Sequence, residues 1–110
     1  MKPYIKDYLE KYVAEFEQLN IDVKALILFG SQARGTAKVT SDVDIAVVMK
    51  DNLCHSSRGK LRCLGEDISH HIEANLFFTT QEAIDKAQHH FDTNKYIREE
   101  GVVLWQEKAI

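Results

Sequence analysis

Two aspartates one residue apart, Asp42 and Asp44, lie at the head of an apolar run, Ser41-Asp42-Val43-Asp44-Ile45-Ala46-Val47-Val48. A Gly30-Ser31 pair closes an earlier one, Leu26-Ile27-Leu28-Phe29-Gly30-Ser31-Gln32-Ala33-Arg34-Gly35. An extended strand alternates its side chains between two faces, so Asp42 and Asp44 project to one side and Val43, Ile45 and Val47 to the other. Two carboxylates on one strand face are hard oxygen ligands for a divalent cation. A Gly-Ser turn leading into a helix offers backbone amides to a polyphosphate with no bulky Cβ in the way. Cation and phosphate cradle together are most of what phosphoryl or nucleotidyl transfer requires. A P-loop is excluded, because Gly30 to Ala37 lacks the Gly-Lys-Ser/Thr that such loops need.

The elements that must hold these residues follow from periodicity. Ile5, Leu9, Tyr12, Val13, Phe16 and Leu19 recur at steps of three and four, which predicts an amphipathic helix over Tyr4 to Leu19 with Pro3 in its first turn. Val23 to Phe29 is apolar on both faces and reads as a buried, central strand. Ser31 to Ala37 predicts a short helix that Gly35 ends, and Asp42 to Met49 a second strand. Leu61, Leu64 and Ile68 place a half-buried helix over Ser56 to His70. Ile72 to Phe78 predicts a third strand, with Glu73, Asn75 and Phe77 on one face. Thr80 is the expected N-cap of a helix over Gln81 to His89, and a further helix covers Asp92 to Glu100, closed by Gly101. Val102 to Trp105 is a terminal strand or a packed tail. The order predicts an α/β (α+β) fold, one small mixed sheet of three to four strands covered by helices.

Size and charge narrow the function. A chain of 110 residues, 45% hydrophobic, suffices for one domain over 1–110 with a modest core. A net charge of -3 argues against a protein that grips nucleic acid as its direct substrate through a broad basic face. No apolar run approaches the ~20 residues of a membrane span, so a cytoplasmic protein is expected. Cys54 and Cys63 lack the spacing of a zinc or redox pair and read as reduced thiols. His55, His70, His71, His89 and His90 include no i, i+4 pair and read as surface residues. Arg58, Lys60 and Arg62 read as a solvated helix face, and Phe77, Phe78, Phe91, Tyr96 and Trp105 as core or partner packing.

The two motifs, in type, order and separation, resemble the signature of the polymerase-beta-type nucleotidyltransferase superfamily, in particular its minimal nucleotidyltransferases. The likeness runs over essentially the whole chain. It implies that Gly30 and Ser31 hold the triphosphate of ATP or another NTP, that Asp42 and Asp44 bind Mg2+, and that NMP passes to a hydroxyl acceptor. Arg34, one turn into the short helix, approaches a phosphate or braces the aspartate strand; Ser41 caps the loop. In that family a third carboxylate on the next strand completes the site. Here the strand offers Glu73, which can serve as general base or join a second metal, or Asn75, whose amide cannot take a proton. The resemblance further implies the antitoxin half of a toxin-antitoxin pair, with a helical HEPN-type ribonuclease as partner and acceptor, in a homo- or hetero-oligomer. The alternative expectation is a catalytically impaired module that binds NTP or partner and neutralises the partner by occlusion.

Overall fold

The computed structural model describes residues 3–35, 42–50, 55–68 and 74–107. Its first helix, α1 (Pro3–Gln18), turns Ile5, Tyr8, Leu9, Tyr12 and Phe16 inward. The helix stops because Asn20 adopts φ 56. With Asn20 N–H donating to the Glu17 carbonyl at 3.1 Å and Ile21 N–H to the Phe16 carbonyl at 3.3 Å, the end is a Schellman motif with asparagine in the left-handed position. Leu19, expected on the apolar face, lies beyond the last helical turn and is 48% exposed.

Strand β1 (Val23–Phe29) follows, then the single-turn helix α2 (Ser31–Arg34), strand β2 (Val43–Met49), helix α3 (His55–Ile68) and strand β3 (Ala74–Thr80). Helices α4 (Gln81–Lys86) and α5 (Thr93–Glu100) precede a terminal strand, β4 (Val102–Gln106). The four strands form one mixed sheet in the order β3-β2-β1-β4. β1 is antiparallel to β2 and to β4, whereas β2 and β3 run parallel. The strongly apolar β1 and β2 therefore occupy the centre, where both faces are covered.

Each face has its own core. α1 and α3 cover one, packing Ile5, Tyr12, Phe16 and Leu61 against Leu26, Val43, Ile45 and Val47. Tyr8 and Tyr12 pin the two helices by donating their hydroxyls to the carbonyls of Gly65 at 3.1 Å and Leu61 at 2.9 Å. Burial pushes the Tyr8 hydroxyl up to about 12 and raises that of Tyr12 as well. Edge-on ring contacts, Tyr12 to Phe16 at 5.4 Å and Phe16 to Trp105 at 5.2 Å, carry the same core to β4. On the opposite face Ile84 and Ile97, from α4 and α5, cover Ala25, Ile27, Ala46 and Val48.

The helix α4 is shorter than its pattern suggested, because Ala87 takes an extended backbone at φ -64, ψ 122. Its N-cap is as expected: the Thr80 hydroxyl accepts from Ala83 N–H at 3.2 Å. Arg98 reaches from α5 to the carbonyls of Ile84 at 2.9 Å and Asp85 at 3.0 Å, satisfying the open end of α4.

Candidate active site

Asp44 belongs to the face of β2 that α4 and α5 cover, but it lies at the end of the strand their cover does not reach. Its neighbours on that face follow from register: Phe29 of β1 is its antiparallel partner and Asn75 of β3 its parallel one. Two residues further along, Ala46 pairs with Phe77. Phe29 and Phe77 meet edge-on, with ring centroids 6.4 Å apart, and both pack against the core beneath α4 and α5. An apolar floor thus ends where the carboxylates begin.

The chain leaves β1 through Gly30, whose backbone at φ 74, ψ -153 is a conformation that glycine alone adopts without strain. There is a second reason for glycine: a Cβ at this position would collide with Oδ2 of Asp44. The Gly-Ser turn and the second aspartate are in direct contact. Arg34 N–H then donates to the Gly30 carbonyl at 3.1 Å, and Gly35, at φ 74 and ψ 14, closes α2 as expected by returning its N–H to Ser31.

Across the aspartates stands Asn75. Its side-chain amide donates to Oδ2 of Asp42 at 3.1 Å and to Oδ1 of Asp44 at 3.3 Å. Both contacts need the NH2 end of the amide, because ionised carboxylates only accept. The residue facing the pair is therefore an amide, and Glu73 and Ser41 lie outside the described residues. Among the described residues no three His, Cys, Asp or Glu side chains come together. The oxygen donors on offer are two carboxylates and one amide, a hard set that suits Mg2+ rather than zinc or copper. These residues fit the cation that the sequence motif implies, and Gly30 leaves the space beside Asp44 clear.

Of the two roles expected of Arg34, its ion pair bears on the bracing one. Its guanidinium pairs with Glu100 at the end of α5, 3.1 Å away, and so ties the short helix to α5 rather than to the aspartate strand. Sequence reasoning missed Glu100, which is 66 residues distant and carries no motif. Of the basic residues on α3, Arg58 and Arg62 border a groove with Leu76, Phe77 and Phe78, and the Arg62 guanidinium lies 4.9 Å from the Phe78 ring centre.

The profile of the polymerase beta nucleotidyltransferase family matches residues 5–108. The chain belongs to that family. Over 43 residues it is also 49% identical to a candidate protein adenylyltransferase of Methanocaldococcus jannaschii. That match takes in 39% of this chain and spans about half, 49%, of the relative. Three solved structures share the fold. A candidate nucleotidyltransferase from Sulfolobus solfataricus superposes with a TM-score of 0.59 at 19% identity, covering 94% of this chain and 78% of that one. A toxin-antitoxin complex crystallised with AMP-PNP gives 0.58 at 24% identity, and an MntA-HpeT toxin-antitoxin mutant gives 0.55 at 20%. Both cover 94% of this chain and 74% of theirs. Within this nucleotidyltransferase frame the chain sets the Gly-Ser turn against Asp44 and presents Asn75 to the aspartate pair. No described helix is long and apolar enough to cross a membrane.

Proposed function

We propose that this protein is a magnesium-dependent nucleotidyltransferase acting in the cytoplasm. It moves AMP from ATP, or the corresponding NMP from another NTP, to a hydroxyl of a protein partner. The observation that carries this reading is the contact between Gly30 and Asp44, which joins the phosphate-binding turn to the cation-binding strand in one site. Asp42 and Asp44 hold the cation, and Gly30 and Ser31 take the triphosphate against the backbone of the turn. Mg2+, when bound, offsets the charge that builds on the α-phosphate and on the leaving pyrophosphate. Arg34 braces the turn through Glu100 and lies one helical turn from Ser31, where it would be near a phosphate held by the turn. Glu73, two residues before Asn75, is assigned to take the proton from the acceptor hydroxyl. The partner is a helical HEPN-type protein that this chain neutralises as an antitoxin. The similarity to a candidate protein adenylyltransferase and the shared fold with toxin-antitoxin structures, one of them holding AMP-PNP, support the acceptor class and the partner.

The test is incubation with labelled ATP, Mg2+ and the HEPN-type protein encoded beside this chain. Wild type is expected to transfer label to the partner, and the Asp42→Ala/Asp44→Ala double variant none. Label transfer that persists in the double variant would end the assignment.

Asn75 favours a second reading, because an amide facing the aspartates cannot accept a proton. On this reading the nucleotide site is retained without turnover, and the partner is neutralised by being covered. It predicts no label transfer by wild type and undiminished partner inhibition by Glu73→Gln.

A further inference from the structure

We propose that Asn75 is the third arm of the cation site, that its amide turns over to present oxygen when the ion binds, and that it restricts the protein alone to a single divalent ion. This rests on the cation reading of Asp42 and Asp44 given above.

The argument begins with what the amide occupies. Its nitrogen lies 3.1 Å from one Asp42 oxygen and 3.3 Å from one Asp44 oxygen, and so places one hydrogen toward each carboxylate. That is the position from which a cation would contact both aspartates. The parallel ladder fixes the backbone of Asn75 beside Asp44, so the side chain cannot back away along the strand. Rotation about the Cβ–Cγ bond exchanges the two ends of the amide with the backbone in place. A half turn replaces the NH2 group with the carbonyl oxygen, which is an ordinary ligand for magnesium, calcium or manganese. The same side chain then serves two states: donor to two carboxylates in the absence of the ion, oxygen ligand in its presence.

Charge sets the number of ions. The described donors carry two negative charges and one neutral oxygen, which balance one divalent ion. Paired cations in two-metal sites sit ~3.5–4 Å apart, where their mutual repulsion calls for further anionic ligands. An aspartate at position 75 would supply one. Nucleotide phosphates would supply others, so the restriction applies to the protein without nucleotide.

The experiment is titration of the nucleotide-free protein with Mn2+, followed by electron paramagnetic resonance, for wild type, Asn75→Asp, Asn75→Leu, Glu73→Gln and Asp42→Ala/Asp44→Ala. Asn75 is exposed, so its variants should fold, and circular dichroism checks this. Wild type should bind one Mn2+ per chain. Asn75→Asp should bind about tenfold more tightly and take up a second ion; Asn75→Leu should bind about tenfold more weakly. Glu73→Gln should match wild type. In parallel, the Asn75 side-chain NH2 resonances should shift on adding Mg2+ as they leave the carboxylates. Two ions in wild type, unaltered affinity in Asn75→Leu, unmoved NH2 resonances, or a Glu73→Gln variant that loses the ion would each overturn the proposal. In all four cases the cation reading itself would stand. If the double aspartate variant binds like wild type, that reading fails as well.

Discussion

Asp44 has two flanks, and they are built on opposite terms. Toward β1 it abuts Gly30, where the backbone conformation and the contact with Oδ2 both forbid a side chain. Toward β3 it meets Asn75, an exposed side chain whose amide is joined to it by a hydrogen bond. The first flank is closed by sterics and tolerates one residue; the second is set by chemistry and can change character with a single atom. The glycine side limits where the carboxylate can sit, and the β3 side sets which polar group faces the carboxylates.

The contrast is broken most forcefully at Gly30. Gly30→Ala should cost about 1–3 kcal/mol in backbone strain alone. The collision with Asp44 adds to this, and nucleotidyl transfer should fall below detection. Urea unfolding and the labelled-ATP assay measure the two effects. The steric part can be separated by Gly30→Ala/Asp44→Ala: unfolding of the double variant should recover the collision term and retain the strain term. A double variant no more stable than Gly30→Ala would show that the contact is not what restricts this flank.

On the other flank, Asn75→Leu should change stability by less than about 1 kcal/mol, since the residue is solvent-accessible and its bonds compete with water. Chemical denaturation checks this. A loss as large as that at Gly30 would erase the distinction between the flanks and make Asn75 a structural residue.

The legibility of the molecule divides along similar lines. Features governed by neighbours in sequence were plain: the period-two placement of Asp42 and Asp44, the three-four pattern of α1, the apolarity of β1, the caps at Thr80 and Gly35. Features governed by register between distant segments were not. Whether residue 73 or 75 comes opposite Asp44 depends on how β3 lies beside β2 after α3 has crossed the sheet, and alternation alone puts both on the same face. The pairing of Asp44 with Asn75 supplies the missing term. The Arg34–Glu100 pair was hidden for the same reason, as was the choice of strand over packed tail for Val102 to Gln106. Local pattern also overran helix ends, α4 stopping at Lys86 before an extended Ala87, and α1 likewise at Gln18. The apolar pattern carried α1 through Leu19, but asparagine at the left-handed position ended the helix first.

The smallest expected effect tests how far the closed flank extends. Arg34 ends α2, and its pair with Glu100 is half exposed, with side chains 49% and 33% accessible, so water and salt screen it heavily. Arg34→Ala and Glu100→Ala should each lower stability by no more than about 0.5 kcal/mol, and the loss should shrink further in 0.5 M salt, where screening acts within a few ångströms (about 4 Å). Their effects on transfer distinguish bracing from phosphate contact. If Arg34 acts by holding α2 to α5, the two variants should slow AMP transfer alike and the double variant no more than either. If Arg34 instead leaves Glu100 to meet the triphosphate, Glu100→Ala should raise nucleotide affinity by releasing the guanidinium, while Arg34→Ala lowers it. Affinity for AMP-PNP, measured calorimetrically at two salt concentrations, decides between them. Under the second outcome α2 would be a movable part of the nucleotide site, and rigidity on this flank would stop at Gly30.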